Sequence, residues 1–558
     1  MGREESPYIF ATGQGRIGEK GYVTAQEAVA SSQHPTVTET MLDVLHSGGN
    51  AADAVIAGSI VQAVVQQDMT NHTGTVTGLF YSAETGEISE LNSMGRIAPG
   101  LPAHHPVPGG KGLYSPLGTR GPKSVIPGFM PGMKAIHEKF GSKAWSDLVA
   151  PAVVAAQEGH VVTSFEHLVM AQTVDFFLYT PSGREHFTPG GHLPQVGDVW
   201  ASAALAETME ALAADGPDHF ITGAWAEQFV TRAGELGWPI TLDHLAWQPR
   251  WSKPATWKLR DHEIVQLSAP DRQAVYCAIV LGILDSLDLP SVGHFAESSQ
   301  AAYYMSHALR LAHLETGFIN DPSIFEDPSS ILMDPDYHAF LAKKLRTSLP
   351  KIDLTEHISL SRGRNALFAA GGASKQPAGS CELSVVDSQG NWVQMMNTLQ
   401  SGGIPGEVVG GVPMVGSHEI NSLNSPISGW LTGGGGMRSM LSNTMVRREG
   451  EVMMSFGSPG NVHCSVPQVL ANVVLYGMDP SAADMAPRML PLTDDYVLSV
   501  ESRVSSDYVD GLAAMGVLVN PLPTYDYHMG SYQSSWRGPD GTLQASAGPR
   551  REGSAGGY

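Results

Sequence analysis

The sequence predicts an α+β protein in which two sheets are sandwiched between helical layers. Apolar residues recur at helical spacing over most of the chain up to about residue 380, and beyond it the period switches to two. No internal repeat and no long charge block interrupts this order. Two helices are expected between Val37 and Gln67, the first ended by Gly48-Gly49 and the second capped by Asn50. The second opens Ala51-Ala52-Asp53-Ala54, small residues that allow close packing. A strand and turn follow from Gly78 to Leu91 around Thr85-Gly86, and the Gly-, Pro- and His-rich stretch Leu101 to Lys123 reads as a long loop. Helical spacing returns over Phe129 to Glu158, Ala203 to Gly237, Asp271 to Leu287 and Ser298 to Leu314. The small and polar residues of Asn365 to Gly379 read as an exposed segment. A hairpin comes next, with a strand to Asp387, a turn over Ser388 to Asn391 and a return strand from Trp392 to Leu399. A second hairpin pairs Asn443 to Arg448 with Val452 to Phe456. It leads through Gly457-Ser458-Pro459-Gly460-Asn461 into a helix reaching Tyr476.

The 558 residues carry 55 acidic and 33 basic side chains, a formal net charge of −22, and only 16% are charged. That balance argues against a nucleic-acid or anionic-membrane partner, because a phosphate-binding face shows as clustered Lys and Arg. Here the basic clusters are no longer than the pairs Arg447-Arg448 and Arg550-Arg551. The longest apolar run, Ala274 to Leu284, is too short for the roughly 18 to 20 residues that span a bilayer. Met1-Gly2-Arg3-Glu4-Glu5 lacks the apolar core of a signal peptide, so the cytoplasm is the expected address. Cys277, Cys381 and Cys464 fit neither a disulfide framework nor a CxxC pair, and no metal or cofactor is expected. At about 100–200 residues per domain the length suggests three or four domains, although one large layered fold can absorb it.

Common catalytic motifs are absent: there is no GxSxG elbow, no HExxH and no Walker lysine. His104-His105 has no carboxylate at matching spacing. The more informative place is Gly379-Ser380-Cys381, where an exposed segment becomes a strand. If the peptide bond before Ser380 were cut, Ser380 would hold both a hydroxyl and a free amine, whose reference pKa of about 7.7–8.0 suits a general base. Glycine on the leaving side admits the distorted backbone that such an attack requires. On these residues alone, an ordinary strand entry remains open. With Asp387 opposite Trp392, Ser380 falls opposite Leu399, between Thr398 and Gln400, which then reach its amine or a bound substrate. The turn Gly457 to Asn461 precedes a helix, so its N–H groups form either an anion-binding nest and oxyanion hole or a plain strand-to-helix turn.

Together these residues resemble the γ-glutamyltransferase family of N-terminal-nucleophile (Ntn) hydrolases, in fragments spread over the whole chain. Gly48-Gly49-Asn50-Ala51-Ala52-Asp53-Ala54 is similar to the family's GGNAxDA junction, and Phe140-Gly141 with Trp145 to Glu158-Gly159 to its next helical segment. Ala308-Leu309-Arg310-Leu311-Ala312 with Asp321-Pro322, Ser384-Val385-Val386-Asp387 with Gly390-Asn391, Gly457-Ser458-Pro459-Gly460 and Gly548-Pro549-Arg550-Arg551-Glu552-Gly553 continue the likeness in the family's order.

The resemblance implies a four-layer αββα sandwich, the Ntn-hydrolase fold. It also implies one chain that cuts itself into a large subunit (1–379) and a small subunit (380–558), which stay together as a heterodimer acting on a small-molecule substrate. Carry-over places the nucleophile at Ser380, with Cys381 as an alternative first residue, the assisting threonine at Thr398 and the oxyanion amides at Gly460 and Asn461. The departures concern substrate. The family's carboxylate-binding arginine falls at Gly95, with Arg96 one place later, and its Ser-Ser pair appears as Ser439-Met440. Its glutamyl-contacting asparagine is Gln400, and its amine-binding aspartate motif is unrecognisable between Pro413 and Asn421. Losing charge-assisted bonds of about 1.5–3 kcal/mol each weakens a glutamyl site. The expected activity is therefore hydrolysis or acyl transfer at an amide-like bond of a non-standard substrate, such as a specialised metabolite of an antibiotic pathway, C–C hydrolysis included. The competing readings are a conventional glutathione hydrolase and an unprocessed, catalytically silent binding protein.

Overall fold

The computed structural model describes residues 6–97, 125–177, 180–236, 240–347, 379–399, 406–414, 435–491 and 497–558, together with Pro99. The expected loop Leu101 to Lys123 and nearly all of Asn365 to Gly379 lie outside these residues, as does Gln400.

Fifteen strands build two large antiparallel sheets. In chain order they are β1 (Ile9–Phe10), β2 (Tyr22–Ala25), β3 (Val29–Ser32), β4 (Thr75–Tyr81), β5 (Ile88–Ser93), β6 (Arg250–Ser252), β7 (Ala255–Leu259) and β8 (His262–Gln266). Then come β9 (Cys381–Val386), β10 (Trp392–Thr398), β11 (Thr444–Arg448), β12 (Glu451–Gly457), β13 (Gln533–Arg537), β14 (Leu543–Ala547) and β15 (Ser554–Gly557). The first sheet runs β1-β15-β3-β9-β10-β4-β5-β6, the second β7-β8-β11-β12-β13-β14-β2. Both therefore mix strands from before and after residue 380.

Helices α1 (Pro35–His46) and α2 (Ala51–Val65) cover the outer face of the first sheet, where Val55, Ile60 and Val64 share a core with Leu383, Val385, Val393 and Met395. Asn50 and Asp53 form a reciprocal capping box at the start of α2, worth about 1 kcal/mol. On the second sheet, α3 (Gln273–Ser286), α4 (Ser299–Glu315) and α5 (Val462–Leu470) pack Ile279, Met305 and Val466 into a core with Ile264, Val446 and Met454. The order is thus helix, sheet, sheet, helix, an αββα sandwich, as predicted. No helix among the described residues is long and apolar enough to cross a membrane.

Strand β9 is buried along its length. Alternation sends Leu383 and Val385 to the helices and Glu382 and Ser384 toward the second sheet. Polar side chains span the gap between the sheets: Ser384 Oγ lies 2.8 Å from Ser455 Oγ and 3.0 Å from Ser535 Oγ.

The β9–β10 register corrects the expected one by a residue. Val386, not Asp387, stands opposite Trp392, so the pair Cys381–Asn397 follows and Ser380 falls opposite Thr398 rather than Leu399. Asp387 leaves the strand because its carboxylate has other partners. One oxygen accepts the N–H groups of Gln389 and Asn391 at 3.0 and 2.9 Å, and the other accepts that of Ala51, at the start of α2, at 2.9 Å.

Candidate active site

Ser380 precedes β9 at the open end of the hairpin, and the corrected register brings it to Thr398. Its hydroxyl donates to Thr398 Oγ1 at 2.7 Å, and the residue is buried. Its φ of +82° is the left-handed region that a side chain rarely adopts, a strain of about 1–3 kcal/mol.

The peptide bond before Ser380 is gripped from two sides. Its carbonyl oxygen, on Gly379, accepts the Gly460 N–H at 3.1 Å and Arg551 Nη2 at 3.4 Å. Arg551 Nη1 donates to the Ser380 carbonyl at 2.9 Å and to Gln33 Oε1 at 3.1 Å. The guanidinium is buried, with its carbon 5.1 Å from the centre of the Phe165 ring. Burial lowers its pKa to about 10, so it remains a cation at neutral pH.

Gly460 has a φ of +90°, and a Cβ there would lie 3.2 Å from the Gly530 backbone. The turn thus admits only glycine without displacement. Of the two amides expected to face an oxyanion, Gly460's points at Gly379. The Asn461 N–H donates to the His528 carbonyl at 3.2 Å, as does its side-chain amide at 2.8 Å. The second donor on Gly379 is Arg551, from the Gly548–Gly553 fragment near the end of the chain.

Cys381, the alternative nucleophile, is turned by strand alternation to the helical side. It is fully buried with Met69, Phe165 and Val169, its thiol donates to Gln66 Oε1 at 3.5 Å, and burial pushes its pKa well above the usual thiol value.

Of the residues expected to contact substrate, Arg96, Ser439 and Met440 lie among the described residues. Arg96 lies in a short strand bridged to Gly436, with its guanidinium carbon 5.5 Å from the centre of the Trp247 ring. Ser439 is buried, and its hydroxyl donates to Asp271 Oδ2 at 2.7 Å. Asp271, unnoticed in the sequence, also accepts the N–H groups of Leu441 at 2.9 Å and Gln273 at 2.8 Å. Burial raises its pKa to about 6 against the lowering effect of these donors, so it is an acceptor at neutral pH. Met440 is half-buried against the core of the second sheet. Among the described residues, no group of three or more His, Cys, Asp or Glu is placed to hold a metal ion.

This arrangement supplies a hydroxyl with a positioned acceptor, a polarised carbonyl beside it, and a cation to stabilise charge on that carbonyl oxygen, the parts of an acyl-transfer site. Comparison with known proteins agrees. The family model described as gamma-glutamyltranspeptidase matches residues 37–558. The glutathione hydrolase proenzyme of Escherichia coli (strain K12) is 26% identical over 552 residues, covering 95% of this chain and 91% of that protein. The acylase ACY 1 proenzyme of Pseudomonas sp. (strain SE83) is 23% identical over 554 residues, covering 96% and 94%. In fold, the chain is similar to cephalosporin acylase from Bacillus halodurans, with a TM-score of 0.79 at 20% identity over 100% of this chain and 99% of that one. The gamma-glutamyltranspeptidase of Helicobacter pylori gives 0.52 at 24% identity, over 56% and 90%. Matched over nearly its whole length, the chain belongs to the gamma-glutamyltranspeptidase family and is an Ntn hydrolase of its hydrolase and acylase group.

Proposed function

We propose that the chain cuts itself between Gly379 and Ser380 and that the new N-terminal Ser380 then hydrolyses an amide-like bond in a non-standard small-molecule substrate. The observation that carries this reading is the Gly379 carbonyl, held by Gly460 N–H and Arg551 directly before a serine whose hydroxyl is oriented by Thr398. In the first stage Ser380 Oγ attacks the Gly379 carbonyl carbon, the negative oxygen rests against Gly460 and Arg551, and the C–N bond breaks as the nitrogen gains the proton lost by the hydroxyl. Water hydrolyses the resulting ester, leaving a Gly379 carboxylate and a free Ser380 amine. In the second stage that amine, with a reference pKa of about 7.7–8.0, takes the hydroxyl proton as Ser380 attacks the substrate carbonyl and returns it to the leaving amine. Water then releases the acid. Segments 1–379 and 380–558 remain together as a heterodimer, since both contribute hydrogen-bonded strands to each sheet. The buried, raised-pKa thiol of Cys381 makes it the poorer candidate nucleophile.

The non-standard substrate rests on Ser439 and Arg96: the serine hydrogen is engaged by Asp271 and the arginine lies over Trp247, so neither is arrayed for a glutamyl α-carboxylate. A conventional glutathione hydrolase is the second reading, favoured by the activity named for the Escherichia coli relative. Intact mass and N-terminal sequencing of the purified protein test the first claim. Two fragments, the smaller beginning with Ser380, are expected, and a single uncut chain after long incubation, as a silent binding protein would give, overturns it. A γ-glutamyl p-nitroanilide assay tests the second, where rapid turnover that is lost in Arg96→Ala restores the conventional reading.

A further inference from the structure

Glu382 follows Ser380 by two positions and is wholly buried in the layer between the sheets. One carboxyl oxygen accepts the Ser442 hydroxyl, in a short contact, and the other accepts Gln394 Nε2 at 2.6 Å. These partners belong to the machinery on either side. Gln394 lies on β10, the strand that carries Thr398, and Ser442 closes the segment that holds Ser439. The fourth wall is Gly457, the last residue of β12, where the oxyanion turn begins. A Cβ at Gly457 would lie 2.1 Å from Glu382 Oε2 and 2.2 Å from Gln394 Nε2, so the glycine exists to let the carboxyl pack against that backbone.

One side chain therefore touches the nucleophile strand, the Thr398 strand, the Ser439 segment and the root of the oxyanion turn. We propose that Glu382 is a positioning residue, which sets the spacing between Ser380 and the Gly457 to Gly460 turn. Its reach is matched to the gap: aspartate is one methylene short, while glutamine keeps the length and, like the protonated acid, offers one oxygen to accept from Gln394 and one donor to the Ser442 hydroxyl oxygen.

The charge state supports the geometry. Burial raises the Glu382 pKa to about 8, against the lowering effect of Ser442, Gln394 and Arg551. Around it, β10 presents Gln394, the segment before β11 presents Ser442, β12 presents the Gly457 backbone, and β9 itself carries Cys381. The charged and titratable groups coupled to it are Arg551, cationic to about pH 10, and Cys381, raised well above the usual thiol value. Between pH 7 and 9, Glu382 is thus the member of this set that changes charge, and ionisation places an anion in a layer closed to water.

The inference rests on the Ser380 reading, and self-cleavage tests both without a substrate. It also keeps the Ser380 amine out of the pH profile, because in the uncut chain that nitrogen is an amide. Chains pulse-labelled by cell-free translation at neutral pH are shifted to pH 6.5–9.5, and appearance of the 1–379 and 380–558 fragments is timed on gels. Wild type is expected to cleave with a rate that falls as pH rises through about 8. E382Q should cleave within threefold of wild type at pH 7 and show no such fall, while E382D and E382A slow at least tenfold. An uncut wild type overturns the Ser380 reading and this one with it. A wild type that cleaves overturns the Glu382 proposal alone if E382A keeps its rate, if E382Q is as slow as E382A, or if E382Q retains the alkaline fall.

Discussion

The backbone N–H of Gly460 donates to the carbonyl oxygen of Gly379 at 3.1 Å, which joins the turn after β12 to the one peptide bond that Ser380 can attack. Two local conformations maintain that contact: φ of +90° at Gly460 and +82° at Ser380. Gly460→Ala keeps the N–H but strains the turn and brings a Cβ to 3.2 Å from the Gly530 backbone. Losing one oxyanion donor costs about 10²–10³ in rate. Self-cleavage of G460A is expected to slow by about 10², timed by gel, with the fold retained by circular dichroism.

Thr398 offers a narrower test, since its hydroxyl accepts the Ser380 hydrogen at 2.7 Å. Thr398→Val preserves shape and β-branching and removes the hydroxyl, whereas Thr398→Ser preserves it. A net hydrogen bond of about 0.5–1.5 kcal/mol corresponds to a change in rate of roughly two- to tenfold. T398V should therefore cleave roughly two- to tenfold more slowly and T398S at near the wild-type rate. Equal rates in both would show that the contact does not orient the nucleophile.

The elements that could be read from the sequence are those whose causes are local. Asn50 and Asp53 cap α2 from within one turn, and the apolar alternation of β9 and β10 reports burial residue by residue. Features that depend on partners far along the chain leave no local mark. The register slipped by one because Asp387 answers to the Ala51 N–H, 336 positions away. The Asn461 N–H, expected at an oxyanion, goes to the carbonyl of His528, 67 positions later. Ser439, expected beside the substrate, donates to Asp271, 168 positions earlier. Glu382 and Arg551 show the same limit, since a charged residue in sequence carries no mark of whether folding will bury it.

Arg551 connects the C-terminal tail to the cleavage site, donating to the carbonyls of both Gly379 and Ser380. Arg551→Met retains much of the apolar stem against Phe165 but leaves the two carbonyls without the cation. Hydrogen bonds to a charged group contribute about 1.5–3 kcal/mol each. Arg551→Lys keeps the charge but lacks the planar fork that serves two acceptors. The expected ranking for self-cleavage is wild type, then R551K, then R551M, with R551M recovered mainly as the uncut chain and melting at a lower temperature. An R551M chain cut as fast as wild type would remove the guanidinium from the mechanism.

Two buried groups pull the acid stability in opposite directions. His72, packed between Phe129 and Phe220, has its pKa lowered by burial to about 3. A base depressed from 6.5 is fully compatible with the fold above that pH, and its contribution is lost as pH falls from about 6.5 toward 3, because the unfolded chain binds the proton first. Glu90 runs the other way. Burial raises it to about 7, against Ser268 and Arg250, so the folded chain holds a proton that the unfolded chain releases above about 4.5, and stability is lost as pH rises from there through 7. Between pH 7 and 4.5 each shift corresponds to about 2–3 kcal/mol, of opposite sign, so the two nearly cancel in the wild type. Single variants expose them. His72→Gln should lose less stability than wild type on going from pH 7 to 4.5, and Glu90→Gln should lose more, both read from urea unfolding midpoints at the two pH values. Parallel pH dependence in all three proteins would show that neither group is held in the buried, neutral state.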